Sequence, residues 1–514
     1  MVHAWVVGLL TVYLWTGIQM VLIQAEWGCH EMNAKKSHIL RICMPTSVSS
    51  REMTHKLNAL AGPYRVLQDP VANPRTWEND SAIGINNLVF GLPEAYLADE
   101  VIEWNINREL GRYMKLTLTE REQRLITAGL LASFESSSRP GRQRIYKRRF
   151  KVSVFHLRAL RAIPLGRSGI VRSPGLEPEQ GTPLWRRLGK TAIRALYAYG
   201  LDMGEVVIAA GEEGQYTVEE VSPIPDFADP ATVQLYAEAM TEHLRELDQF
   251  SSEEAEVLIG MDPEFILYNH HTGKVVPASR FLSHHGEAGC DVLRFQGRRL
   301  LPLAELRPAP GREPEEVVRH LLHAFRTANT HISDRNLLWQ AGGMPQRGFP
   351  LGGHVHFSGV PLTSEFLRIL DNYLALPVFL LEDNSSFRRR PNYGFLGDYR
   401  VKSYGGFEYR TLPSFLISPL VTKGVIALAR LVAENPGHFK RRPLQDEEVF
   451  RAFYNGQPER IRPSILSLLS DIAEAEGFGR YEKYLGPFLK AVKSGATWDE
   501  STDIRRPWKI QNHS

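Results

Sequence analysis

Cysteine is nearly missing from this sequence. Only Cys29, Cys43 and Cys290 stand among 514 residues, and no two share a C-x-x-C spacing. That excludes a disulfide framework and a structural zinc site, and it suits a reducing compartment. A surplus of charge is missing too. Lys and Arg number 61 against 58 Asp and Glu, a net of +3, so overall charge singles out no polyanionic partner, nucleic acid included. There is no internal repeat and no low-complexity tract. Hydrophobic residues make up 43% and charged residues 23%, which excludes wholesale disorder and a multispan membrane protein. By length alone the chain suits about three domains.

Asp, Glu, Lys and Arg are all absent from Met1–Ala25. Within it, Trp5–Ile23 is apolar and long enough to cross a bilayer. No Lys or Arg precedes the run, so the basic start of a secretory signal is lacking. Gly8, Thr11, Thr16, Gly17 and Gln19 suit buried strands joined by a turn. The favoured reading is a buried or peripheral segment of a cytoplasmic protein. Membrane contact through residues 4–25, as an N-terminal anchor, is the alternative.

A boundary falls near Phe250–Glu256. Pro230–Leu247 before it reads as an amphipathic helix, and VLIGMDPEFILY after it as a strand. Two units follow, 1–250 and 256–514. In the first, Ala95–Met114 and Glu120–Ser136 read as helices. Arg139–Arg172 carries eleven Lys/Arg and no Asp/Glu. It is expected to be a solvated basic face, with Tyr146, Phe150 and Phe155 in a core, and a surface for phosphate or an acidic polymer is the alternative. Thr191–Asp226 reads as helix, strand, turn, strand. That order resembles the C-terminal part of an ATP-grasp domain, whose Glu-x-Asn strand end holds magnesium. Here the run is Glu220-Val221-Ser222, Val206 and Val207 stand where an acidic ligand belongs, and no Gly-rich phosphate loop lies upstream. The resemblance implies a degraded ATP-grasp-like α+β unit.

The second unit carries four short pairs spaced i and i+2: Asp262/Glu264, Glu305/Arg307, His354/His356 and Glu408/Arg410. Residues two apart on a strand share a face, and each pair has strand-like flanks. The simplest assembly is a curved antiparallel sheet with all eight on one side. Four carboxylates together repel and raise each other's pKa. Divalent cations remove that conflict; carboxylate oxygens suit magnesium, and imidazole tolerates manganese. Arginines beside metals are what phosphoryl transfer requires. The Gly352-Gly353 dipeptide before the histidines permits close approach. The Arg- and Gly-rich run Phe387–Arg400 follows an apolar helix, Ser364–Asp383, interrupted near Pro377. Its arginines suit a nucleoside triphosphate. Helices over Val421–Glu434, Arg462–Ala475 and Tyr481–Lys493 read as core cover, and the polar tail from Lys493 as mobile at its end.

GMDPEF, AELRPAP, GGHVHF, LEDNSSFRRRPNYGFLGDYR and GGFEYRTLPSFLISP, in that order, resemble the carboxylate–amine ligase (COOH–NH2 ligase, or amidoligase) family of the phage phiEco32-like type 2, over about residues 256–435. The resemblance implies the glutamine synthetase fold, ATP and Mg2+ or Mn2+ as cofactors, and an amide bond formed between a small-molecule or peptide carboxylate and an amine. It implies Asp262, Glu264, Glu305, His354 and Glu408 as metal ligands, His354 on the ATP-side metal, with His356 on the same face as a cofactor-binding residue. Arg410 and Arg307 would meet substrate carboxylate or phosphate, and Arg388, Arg390 and Arg400 the nucleotide phosphates. Asp398 or Glu382 would take the amine proton. Homo-oligomers occur among glutamine synthetase relatives. The alternatives are a kinase on the same fold, a metal-dependent hydrolase built on His354 and His356, and a non-catalytic scaffold.

Overall fold

The computed structural model describes residues 36–45, 54, 56–58, 65–67, 85–91, 100–134, 148–166, 177–211, 214–250, 256–295 and 298–510. The apolar segment at residues 1–25, with the strand and anchor readings attached to it, lies outside these, as do Cys29 and Tyr146. Among the described residues no helix is long and apolar enough to cross a membrane.

The chain is α+β, with three sheets. The first contains β1 (Lys36–Pro45), β2 (Arg65–Leu67), β3 (Ile85–Gly91) and β4 (Glu100–Ile106) in the order β2-β3-β1-β4. Here the helix expected over Ala95–Met114 is corrected. Glu100–Ile106 is a strand parallel to β1, and only Leu110–Lys115 is helical. In EVIEWNI, Ile102, Trp104 and Ile106 alternate with more polar neighbours, and this period of two wins over helix propensity. Likewise the helix expected over Glu120–Ser136 is Leu118–Thr127, started by a capping box between Thr117 and Glu120 and followed by the short strand β5 (Leu131–Ala132).

The second sheet runs β5-β9-β8-β6-β7, with β6 at Arg148–Phe155, β7 at Arg158–Leu165, β8 at Met203–Ala210 and β9 at Tyr216–Ser222. Among the described residues of the basic stretch, four cations are paired on this sheet. Arg149 pairs with Glu219, Lys151 with Glu205, Arg158 with Glu242 and Glu246, and Arg161 with Glu177. Phe150 and Phe155 are buried. Val206 and Val207 are core residues and Glu220 is exposed.

The third sheet is entirely antiparallel and has eight strands. β10 (Leu258–Asn269) is its spine. β12 (Ala288–Phe295), β13 (Arg298–Leu306), β10, β15 (Gly353–Ser358), β17 (Phe407–Tyr409) and β16 (Tyr399–Val401) lie in that order. β11 (Lys274–Val276) and β14 (Leu337–Gln340) pair with the far end of β10. One face is core: Met261, Phe265, Ala304, Leu306, Val355, Phe357, Phe407 and Tyr409 are all buried. Each large apolar side chain among them contributes ~1.5–3 kcal/mol by leaving water. The sheet's other face is therefore the one free for polar chemistry.

Helices cover the core face. Ser364–Leu370 continues as a π-helical turn, Asp371–Ala375, and then as Leu376–Phe379. The irregularity lies ahead of Pro377, which begins the last segment where its missing N–H is least costly. The tail from Lys493 is docked as far as residue 510. Trp498, Ile504 and Trp508 are buried, and Glu500 accepts from the Met344 amide at 2.9 Å and from Ser386.

Buried Asp371 ties the halves together. It accepts from Tyr197 of helix Pro183–Tyr199 at 2.7 Å, from Tyr409 of β17 at 2.7 Å and from the Gly397 amide at 3.0 Å. Asp371→Ala, which orphans three donors, is expected to lower stability by about 2–4 kcal/mol, and Tyr197→Phe by about 1 kcal/mol. Denaturant unfolding of both variants measures this; equal losses would mean that Asp371 is not the hub.

Candidate active site

Strand register brings the four sequence pairs together. Directly across the third sheet, Glu264 opposes Glu305, Asp262 opposes His354, and His356 opposes Glu408, with Arg400 beyond it. Opposed residues in an antiparallel sheet share a face. The backbone before β15 allows tight packing: a Cβ on Gly352 would strike the His354 ring, and one on Gly353 would strike the Pro413 carbonyl. The Gly352 amide donates to Glu264 Oε2 at 2.6 Å, locking that carboxylate to the incoming loop.

His354 Nδ1 lies 2.9 Å from Asp262 Oδ1 and 3.2 Å from Glu408 Oε1, while His356 Nε2 lies 3.0 Å from Asp262 Oδ2. Three overlapping groups have ligand atoms within 4.8 Å of one another: Asp262/His356/Glu408, Asp262/Glu305/His354 and Glu264/Asp291/Glu305. Asp262 belongs to two of them and Glu305 to two, so they adjoin. Cations flank the row. Arg307 pairs with Glu305. Glu408 is met by Arg410, by Arg400 at 3.3 Å and by Lys402 Nζ at 2.6 Å. Asp398 stands 4.0 Å from Arg410 Nε.

The electrostatics carry the conflict expected of crowded carboxylates. Burial, only partly offset by His354 and the Gly352 amide, pushes Glu264 up to about 7. Burial, with Asp262 and Glu264 adding repulsion, pushes Glu305 up to about 8. Burial works on Asp262 in the same sense, but His354 and His356 outweigh it and hold it well below the usual carboxylate range. Burial would lower His354, yet Asp262 outweighs it and raises the ring to about 9. Glu408 ends below its ordinary value because His354, Arg410 and Lys402 outweigh burial and Asp262. A hard divalent cation suits this donor set: it would be held by carboxylate oxygens and imidazole nitrogen, and it would relieve the repulsion at Glu264 and Glu305.

The loop arginines divide. Arg400 is exposed beside Glu408, and Arg388 is exposed on its turn. Arg390 is not brought to the row. It forms a buried bidentate pair with Glu382, at 2.9 and 2.7 Å, between the rings of Phe379 and Phe453. Both its terminal nitrogens are already matched there, as are the Glu382 oxygens. Arg389, which had no assigned part, is buried and donates to the Thr411 and Leu412 carbonyls.

Sequence reasoning missed three residues. Asp291 on β12 completes the third carboxylate group. Its signal was a lone acid two after Gly289, which opposes Glu305. Lys402 was visible only as part of a loop. Lys190 comes from helix Pro183–Tyr199 and reaches 3.9 Å from Asp398 Oδ1. No local pattern marks it.

Carboxylates, imidazoles and guanidiniums thus share one face of the third sheet, and the comparisons bear on the family of this half of the chain. Residues 259–510 match the profile of the phage phiEco32-like COOH·NH2 ligase type 2 family, and this half of the chain belongs to it. No curated protein matches the chain. Among solved structures, the ATP-grasp ligase PsnB, solved with its precursor peptide PsnA2 and AMPPNP, is 16% identical over 20% of this chain and 34% of its own, with a TM-score of 0.16. A bifunctional glutathione synthetase from Pasteurella multocida is 12% identical over 52% of this chain and 53% of its own, with a TM-score of 0.30. A glutamine synthase homolog is 14% identical over 52% and 70%, with a TM-score of 0.25. The chain thus covers about a third of the first and half of the second. At such scores none of these likenesses bears on its activity.

The raised values have a sign. Folded, metal-free protein retains protons at Glu264, Glu305 and His354 that the unfolded chain releases. Their contribution is present in acid and lost as pH rises through about 7, about 8 and about 9. Asp262 and Glu408, held low, act oppositely and weaken the fold only in acid. The Tm of EDTA-treated protein is therefore expected to fall between about pH 6 and 9, and Mg2+ or Mn2+ to restore more of it at the alkaline end, because ligands must shed protons to bind. Thermal scans with and without metal test this; a metal effect independent of pH would contradict it. Arg390→Ala, which strands a buried Glu382, is expected to cost about 3–5 kcal/mol of stability. A variant that folds normally in urea titrations and loses only activity would return Arg390 to the site.

Proposed function

We propose that this chain is an ATP-dependent carboxylate–amine ligase that works through an acyl phosphate. The observation that carries this is the continuous row Asp291–Glu305–Glu264–Asp262–His354–Glu408, capped by Arg400, Lys402 and Arg410. It joins a place for divalent cations to a place for phosphate charge.

A carboxylate is a poor electrophile, and phosphorylation makes it a good one. Divalent cations held by Asp262, Glu264, Glu305, His354 and Glu408 would neutralise charge on the triphosphate and polarise its terminal phosphorus. His356 orients the Asp262 carboxylate toward that face. Arg410 and Arg400 offer forked donors to the transferring phosphoryl group or the substrate carboxylate, and Arg307 holds Glu305 in place. Arg388 is exposed and available to an outer phosphate. A carboxylate oxygen of the acid substrate attacks the γ-phosphorus and the bond to ADP breaks. The amine nitrogen then attacks the acyl carbon, phosphate leaves, and Asp398 accepts the amine proton. Glu382 is not proposed for that step, since Arg390 occupies both its oxygens. The acid is a small molecule or a peptide.

The first half, taken as a unit over 1–250, is assigned to positioning rather than nucleotide binding. Val206 and Val207 are core residues where an ATP-grasp ligand would stand, and Lys190 and Tyr197 reach the ligase half.

Purified protein with Mg2+, ATP and pooled carboxylic acids or peptides is expected to release ADP, and hydroxylamine to trap the activated acid as a hydroxamate. Glu305→Gln and Glu408→Gln are expected to lower the rate by about 100- to 1000-fold, the cost of one key electrostatic group. ADP release without hydroxamate or amide would sink the acyl-transfer step, and turnover with metal but no ATP would sink the ligase altogether.

A further inference from the structure

Away from the carboxylate row, a cavity of about 50 Å3 lies where the two halves of the chain meet. The first half lines it with Arg112, Arg124 and Arg194, the second with Arg368 and Arg442, and Asp371 is the only acidic residue in the lining. One carboxylate cannot balance five guanidiniums, and the oxygens of Asp371 already accept from Tyr197, Tyr409 and the Gly397 amide. Four of the arginines have carboxylate partners: Arg112 with Glu109 at 3.5 Å, Arg124 with Glu447 at 2.5 Å, Arg368 with Asp202 at 2.8 Å and Arg442 with Glu365 at 2.5 Å. None of those four acids lines the cavity. Among the described residues Arg194 makes no ion pair; it donates to the Ala128 carbonyl at 2.8 Å and lies 3.7 Å over the Phe395 ring.

Two further observations point to a ligand. The Nε atoms of Arg368 and Arg442 are buried without a hydrogen-bond partner, and these side chains are only 10% and 5% exposed. A buried guanidinium N–H left unmatched costs free energy that a bound acceptor would recover. The cavity wall also contains the start of the π-helical turn Asp371–Ala375. Such turns depart from regular helix and recur at binding sites.

We propose that this cavity binds a free tetrahedral oxyanion of the phosphate class. Its volume sets the size: at ~10–15 Å3 for each water-sized atom, there is room for the oxygens of orthophosphate but not for a nucleotide. Arginine is the donor suited to such an oxyanion. The cavity is also coupled to the row. Its lining includes Phe395 and Leu396, which lead directly to Asp398. Asp371 holds Gly397 and Tyr409, and Tyr409 sits between Glu408 and Arg410. An anion here would stiffen the strand and loop that carry the site.

The test does not rest on the ligase reading, since it is done in EDTA without nucleotide. Isothermal titration of inorganic phosphate into the full chain is expected to show one saturable site, displaced by sulfate. Arg194→Gln removes a cation without stranding an acid, and Ala128→Leu fills the lining while keeping every charge. Each is expected to weaken phosphate binding about tenfold or more, with the unfolding temperature kept as a check on folding. Glu408→Gln, on the metal face, is expected to leave phosphate binding unchanged. Absence of saturable binding by folded wild-type protein, or binding that survives both cavity variants, overturns the proposal. So does loss of binding in Glu408→Gln, which would place the phosphate on the metal face.

Discussion

Five carboxylates brought onto one sheet face are the constraint around which this protein is arranged. Glu264 and Glu305 stand directly opposite each other on neighbouring strands, where like charges destabilise pairing. The fold tolerates this because β10 is held on both edges and its reverse face is deep in apolar core. Hydrophobic burial on one side thus stabilises an arrangement that electrostatics on the other side opposes. The remaining strain shows in the elevated Glu264 and Glu305 and in the imidazoles that hold Asp262 down. A face so prepared suits divalent cations, which would relieve that repulsion.

The support around that face is equally specific. The glycines ahead of His354 leave room for its ring, and the Gly352 amide fixes Glu264. The C-terminal tail returns to hold the loop through Met344 with Glu500. Asp371 joins a helix of the first half to the strand that carries Glu408 and Arg410. The first half is therefore part of the structural surroundings of the site, and the hydrophobic core runs through both halves from Tyr113 to Trp508.

Much of the site was legible in the sequence because strand geometry is local. A polar residue at i and i+2 between apolar neighbours can only lie on one face of a strand, so Asp262, Glu264, Glu305, His354, His356, Glu408 and Arg410 could be read off and placed together. Asp291 escaped because it is alone: its neighbour at i−2 is Gly289, which carries no side chain to form a pair. The loop arginines were misjudged in part because charge looks the same in sequence whether it faces solvent, ligand or a buried partner. Arg388 and Arg390 lie two apart, and one is exposed while the other is matched to Glu382. Residues 100–106 show the same limit for local structure, where alternation is short enough to be taken for a helix until β1 supplies a partner.

The sequence by itself determined the α+β character, the polar face of the third sheet and the kinds of ligand on it, since these follow from side-chain periodicity and donor chemistry. Tertiary structure alone decided which carboxylates come within ligand distance of one another, which arginines stay exposed, and that Lys190, Tyr197 and five guanidiniums from separate helices and loops meet across the two halves. Those facts depend on contacts between residues hundreds of positions apart, and no short-range pattern encodes a distance of that kind.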